Sequence, residues 1–162
     1  YYCYIGRISH EKGIKTLIAA ANRLPHKLVI IGKGPLDAEM KKLAGPNVEF
    51  AGFKQWNEIK RIVGQARFCV IPSECYENNP LSVIESQCLG TPVLGAQIGG
   101  IPELIQEGCN GLHFRSRDTD DLTAKIQAMY DAPFDYPSIA LEAKKRYNSE
   151  TYYKQLIQLY NL

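Results

Sequence analysis

The chain has 162 residues, 45% of them hydrophobic and 22% charged, a balance that supports one domain with a buried core and is unlike that of a disordered segment. Its formal net charge of +2 argues against a nucleic-acid footprint spread over the surface. Five cysteines (3, 69, 75, 88 and 109), with no Cys-x-x-Cys pair and no histidine at ligand spacing, point away from a disulfide framework or a zinc site and towards a reducing, cytoplasmic compartment.

In chain order, short β-rich runs occur at 1–5, 27–31, 48–52, 68–71, 92–95 and 111–114, and helical spacing fills the gaps. Ile14, Leu17, Ile18 and Ala21 share one helical face, as do Ile59, Ile62 and Val63. Strands that alternate with helices predict a parallel sheet, and near-continuous apolar strands predict that both its faces are covered. From residue 118 an acidic first turn opens a helix bearing Leu122, Ile126 and Met129. After the break at 132–137 the chain reads as two more helices through residue 162. The expected fold is α/β: a Rossmann-like, doubly wound parallel sheet of about six strands, helices on both faces and a C-terminal helical tail. Apolar runs end after about six residues, so no signal peptide or membrane span is expected, and the abrupt start on a strand suggests an excised piece of something longer.

Ligands of such sheets bind outside the carboxyl ends of the strands, so the loops there carry the chemistry. In GRISHEKG (6–13), Gly6 ends a strand and Arg7 and Lys12 precede a helix, a pairing of cations and free N–H groups suited to an anion. The loop matches neither a Walker A sequence nor G-x-G-x-x-G. In GKGPLDAE (32–39), Gly32 and Gly34 allow a tight turn and Pro35 suits a first helical position. In ECYENNPLSVIE (74–85), Pro80 is expected to begin a helix with Asn79 as N-cap, leaving the N–H groups of Leu81, Ser82 and Val83 unpaired. Glu77 then lies ahead of the helix and Glu85 about 7.5 Å along it, a spacing for an elongated ligand and not for a glycosidase acid pair. Gly99-Gly100 and Pro102 mark another turn into a helix. Each loop by itself is equally an ordinary turn with surface charge.

Taken in order, IGRISHEKG (5–13), IIGKGPL (30–36), VEFAGF (48–53), PSECYENNPLSVIESQCLGTPVLGAQIGGIPELI (72–105), GCNGLHF (108–114) and DTDDLTAKI (118–126) resemble the donor-binding domain of retaining nucleotide-sugar glycosyltransferases of family 4, the group 1 class with the GT-B fold. The resemblance spans nearly the whole chain. It implies that 1–162 is the C-terminal, nucleotide-sugar-binding half of a GT-B enzyme whose N-terminal, acceptor-binding half is absent. It further implies that Arg7 and Lys12 neutralise the donor diphosphate and that Glu77 contacts the sugar hydroxyls. Asn78, Asn79, Pro80, Leu81 and Ser82 would supply backbone near sugar and phosphates, and Glu85 would accept from the ribose hydroxyls. Gly6 and Gly34 fall among the donor-site positions, and Phe53 and Lys54 fall where the family's chain passes the base. Many members carry glycine where this chain has Asn78, which bears on the sugar pocket.

The implied function is transfer of a sugar from a nucleotide-diphospho-sugar to a glycan, lipid-linked or other acceptor with retention of configuration, without metal or cofactor. The partners implied are the donor, the acceptor and the missing N-terminal half, through which any peripheral membrane contact would run, at the inner face of the membrane; no nucleic acid is implied. His10 stands in the Arg7–Lys12 loop, whereas His26 and His113 read as structural. The other readings are a different GT-B activity, such as a sugar-nucleotide epimerase or a glycogen-synthase-like transferase, and a catalytically silent nucleotide-binding or partner subunit. A nicotinamide dehydrogenase is disfavoured, because the glycine fingerprint and an acidic residue closing the second strand are both missing.

Overall fold

In a computed structural model that describes residues 1–160, six strands form one parallel sheet in the order β3-β2-β1-β4-β5-β6. They are β1 (Tyr2–Ile5), β2 (Leu28–Ile31), β3 (Val48–Gly52), β4 (Cys69–Ile71), β5 (Val93–Ala96) and β6 (Gly111–Phe114), each ending within a residue of the run expected for it. The helices are α1 (Ile14–Ala21), α2 (Asp37–Leu43), α3 (Trp56–Gly64), α4 (Leu81–Cys88), α5 (Ile101–Leu104), α6 (Thr119–Asp131), α7 (Tyr136–Arg146) and α8 (Ser149–Tyr160). A 3₁₀ turn at His10–Lys12 precedes α1. The last helix was expected to run to 162, but residues 161 and 162 lie outside the described residues.

Alternation of side chains along the strands builds two cores. Tyr2, Tyr4, Leu28, Ile30, Val70 and Leu94 face Leu17 and Ile18 of α1, Met40 of α2 and Leu122, Ile126 and Met129 of α6. Cys3, Val29, Ile31, Cys69, Ile71 and Val93 face the other way, onto Val63 of α3, Val83 of α4 and Ile101 and Leu104 of α5. Cys3 and Cys69 sit opposite each other in neighbouring strands, both fully buried, where a thiol serves as a small hydrophobe. All five cysteines are free.

The chain winds from β1 outward through β2 and β3, then returns to place β4 on the other side of β1. At that reversal the loops after β1 and β4 leave the carboxyl edge side by side, which opens a crevice. Among the described residues no helix is long and apolar enough to cross a membrane.

Two helix starts differ from expectation. Pro80 is itself the N-cap of α4, with ψ 107, and Leu81 is the first helical residue, so Asn79 lies one position outside. Val83 N–H donates to the Pro80 carbonyl, so only Leu81 and Ser82 keep N–H groups without a backbone partner among the described residues. Pro35 is not the first residue of α2, which begins at Asp37 with Leu36 as N-cap. Leu36 N–H is drawn to the Ile8 carbonyl at 3.1 Å, which holds the chain in a turn for two residues more.

Candidate functional site

The crevice at the reversal is a cavity of about 440 Å³. Its wall takes Gly6, Arg7 and Lys12 from the loop after β1, Ser73, Glu77 and Asn79 from the loop after β4, and Pro80, Leu81, Ser82 and Glu85 from the start of α4. A second cavity of about 250 Å³ adjoins it, sharing Ile5, Gly6 and Arg7 and extending over Ile31, Gly32, Lys33, Phe53, Lys54 and Ile59. Two distant stretches of sequence thus meet on one rim, bringing two cations and two carboxylates to one wall.

Glu77 is held from two sides. Lys12 Nζ and Ser73 Oγ (the latter at 2.8 Å) both donate to Oε1. The other oxygen, Oε2, accepts nothing among the described residues and remains free for a hydroxyl donor. An ammonium has three N–H groups, and Lys12 spends one on Glu77, so two remain for an anion. Arg7 makes no ion pair among the described residues, and its loop is braced from below by Tyr4, whose hydroxyl donates to the Arg7 carbonyl at 2.7 Å. Burial pushes the Tyr4 phenol far above its ordinary pKa, so it stays a donor. Glu85 makes no side-chain hydrogen bond or ion pair among the described residues, and burial raises its carboxyl pKa.

Backbone packing fixes these loops relative to one another. A Cβ on Gly34 would fall 2.2 Å from the Ile8 carbonyl oxygen, so only glycine lets the β2 loop lie on the β1 loop. A Cβ on Gly100 would fall 2.1 Å from the Asn78 oxygen, and Gly100 N–H donates to the Glu77 carbonyl at 2.7 Å. What approaches the Gly99-Gly100 backbone is therefore the Glu77 loop of the same chain. Glu74 adds a third tie: it accepts from Thr16 Oγ1 of α1 at 2.7 Å, while Arg117 after β6 reaches its carboxylate at 3.5 Å and its carbonyl at 3.2 Å. Arg117 holds φ 65, a left-handed conformation uncommon for a non-glycine residue.

Of the residues singled out from sequence, Gly6, Arg7, Lys12, Glu77, Asn79, Pro80, Leu81, Ser82 and Glu85 line the larger cavity, and Phe53 and Lys54 line the smaller. Gly34 and Asn78 line neither; they pack backbone on backbone behind the walls. His10 is exposed and also outside both. His26 stacks on Tyr130 with ring centroids 3.7 Å apart, a structural position. His113 meets Glu107 at 3.0 Å through Nδ1, but its buried Nε2 has no partner among the described residues, so the expectation of a satisfied core histidine holds for one nitrogen only. Sequence reading missed Ser73, Tyr4, Glu74 and Lys33. Tyr4 alternates like any core strand residue, and a serine or glutamate beside a turn carries no local signal. Among the described residues no group of three or more His, Cys, Asp or Glu side chains could hold a metal ion.

Chemically, the wall offers a guanidinium, an ammonium and two free helix N–H groups to one anionic centre. Such preorganised donors stabilise charge that develops in a transition state. Comparison with known proteins agrees in fold. The chain is 34% identical over 78% of its length to the Arabidopsis thaliana sulfoquinovosyl transferase SQD2, covering 26% of that protein. It is 30% identical over 91% of its length to a Mycobacterium tuberculosis glycogen synthase, of which it covers 38%. The structure of Anabaena HepE in complex with UDP superposes over 99% of this chain and 48% of that one, with a TM-score of 0.86 at 21% identity. The chain thus spans less than half the length of each of these proteins. The family model described as "Glycosyl transferases group 1" matches residues 1–155, and the chain belongs to that family.

Proposed function

We propose that this chain is the nucleotide-sugar-binding half of a glycosyltransferase, with the acceptor bound largely by an N-terminal half outside this sequence. The observation that carries the reading is the 440 Å³ cavity whose wall carries Arg7, Lys12, Glu77 and Glu85 together. In this reading the diphosphate lies against Arg7, Lys12 and the N–H groups of Leu81 and Ser82. The ribose diol faces Glu85, the sugar hydroxyls face Glu77 Oε2, and the base enters the smaller cavity beside Phe53 and Lys54.

Cleavage of the sugar–phosphate bond leaves the extra negative charge on the nucleoside diphosphate. Arg7 and Lys12 meet that charge where it forms, so no metal is required for it. Retention of anomeric configuration is the course implied by the resemblance. The identity with SQD2, named a sulfoquinovosyl transferase, supports sugar transfer; the acceptor class is a glycan or a lipid-linked saccharide. The free Glu77 Oε2 and the free donors of Lys12 favour an active site over a catalytically silent nucleotide-binding subunit.

The test is turnover of the complete enzyme with Arg7→Ala and with Lys12→Ala. Each lowers kcat/KM about 100-fold, the loss typical of one preorganised donor. Near-wild-type turnover in both variants would refute the assignment.

A further inference from the structure

The carboxylate assigned to the sugar shares one of its two partners with the diphosphate. Gly100 N–H donates to the Glu77 carbonyl at 2.7 Å, and a Cβ on Gly99 would fall 2.6 Å from that oxygen, so the main chain of Glu77 is fixed from the α5 side. Its side chain has three further rotatable bonds, which contacts at the carboxylate must hold. Those contacts converge on Oε1: Lys12 Nζ and, at 2.8 Å, Ser73 Oγ. Cys75 Sγ stands at 4.0 Å from the same oxygen and adds only a weak contact.

The two donors differ in kind. Lys12 carries its ammonium on a flexible four-carbon stem, 31% exposed, and a diphosphate in the cavity competes for that ammonium. Ser73 is 2% exposed and belongs to a pinned segment. A Cβ on Gly13 would fall 1.8 Å from the Pro72 carbonyl oxygen, and Glu74 N–H donates to the Glu11 carbonyl at 2.9 Å. The Ser73 carbonyl itself accepts from Ser116 Oγ at 3.1 Å. The loops after β1 and β6 thus grip the serine from two sides. A hydroxyl has a single hydrogen, and that of Ser73 is committed to Glu77. The bond closes the stretch 73–77, which has no helix or strand of its own to set its shape.

Resting on the nucleotide-sugar reading above, we infer that Ser73 is a positioning residue for sugar transfer: it keeps Glu77 Oε1 anchored when the diphosphate draws the Lys12 ammonium, so that Oε2 stays available to the sugar hydroxyls. Without the serine hydroxyl, a loaded site leaves Oε1 with no fixed hydroxyl or ammonium donor among the described residues, and the carboxylate is free to rotate off the sugar.

The complete enzyme, assayed with a panel of UDP-, GDP-, ADP-, CDP- and dTDP-sugars, tests the inference with whichever donor it turns over. Ser73→Ala lowers kcat/KM for that donor about tenfold, the lower end of what a hydrogen bond to a charged group contributes. The inhibition constant of the matching nucleoside diphosphate, which lacks the sugar, changes less than twofold. Single-turnover rates with enzyme in excess complete a double-mutant cycle. In a Glu77→Ala background, Ser73→Ala changes the rate less than twofold, because the residue it positions is gone. A tenfold loss that persists in that background overturns the inference, since Ser73 then acts on the donor or on the fold. Equal weakening of nucleoside diphosphate and nucleotide-sugar overturns it as well, and so does wild-type kcat/KM in Ser73→Ala. Turnover of no donor in the panel by the wild-type enzyme overturns the nucleotide-sugar reading itself.

Discussion

Glu77 and Glu85 share one cavity wall, yet their surroundings differ. Glu77 has an ammonium and a serine hydroxyl on one oxygen, whereas Glu85 has no cation and is pushed towards its protonated form by burial. For Glu85 the folded-state pKa lies above the unfolded value of about 4.3. As pH rises through the interval between the two, the unfolded chain has lost a proton that the folded chain still holds, so stability falls. Above the folded pKa the deficit persists, and well below the unfolded pKa it vanishes. Glu85→Gln therefore raises Tm at pH 7 and leaves it unchanged near pH 3, as followed by thermal unfolding at the two values. An equal gain at both would show that titration is not the cause. A carboxylate kept where it costs stability is the pattern of a binding residue.

At the scale of elements, the site is a product of loops clamped to one another. The Glu77 loop rests on the α5 turn through Gly99 and Gly100, on α1 through Thr16 and Glu74, and on the loop after β6 through Arg117. Arg117 holds a left-handed backbone at a cost of about 1 kcal/mol, offset by its contacts with Glu74. Gly100→Ala places a Cβ where the Asn78 carbonyl stands, and the cheapest relief is a shift of the Glu77 loop. A displacement near 1 Å at reacting groups costs on the order of 100-fold in rate. The expected result is a loss of turnover in the complete enzyme far larger than the drop in Tm, measured side by side. Wild-type turnover would mean that the loop does not set the position of Glu77.

At the scale of the whole molecule, stability resides in the two cores and function at one edge of the sheet. Phe68, fully buried just ahead of β4, stacks on Tyr2 at 5.0 Å and meets Tyr130 of α6 edge-on at 5.5 Å, tying the sheet to the helical tail. Phe68→Ala removes that link and leaves a cavity, so it destabilises the chain by about 3–5 kcal/mol, read as a shift of the urea midpoint at unchanged slope. A loss below about 1 kcal/mol would show that the tail packs independently of this cluster. The site lies on the carboxyl edge at the reversal of strand order, where no strand hydrogen bond has to be broken to admit a ligand.

How much of this was legible in the chain itself follows from the range of the forces involved. Strand and helix positions come from the periodicity of apolar residues such as Leu28–Ile31 or Ile14, Leu17 and Ile18, a local property that the sequence carries outright. That the paired cations, the two glutamates and the proline between them stand at the carboxyl edge was likewise legible, because each lies in a loop or helix start directly after a strand, and the structure places them on one cavity wall. Helix starts were less secure: Pro35 and Asn79 each missed by one or two positions, since the deciding bonds, Leu36 to Ile8 and Val83 to Pro80, are set by loop geometry. Only the tertiary structure shows that Ser73 and Lys12 anchor one oxygen of Glu77 and leave the other free. It alone assigns Gly34 and Gly100 to loop packing. Apart from the local Ser73–Glu77 bond, those facts depend on contacts between residues some twenty to sixty positions apart, and the winding order of the strands creates such contacts.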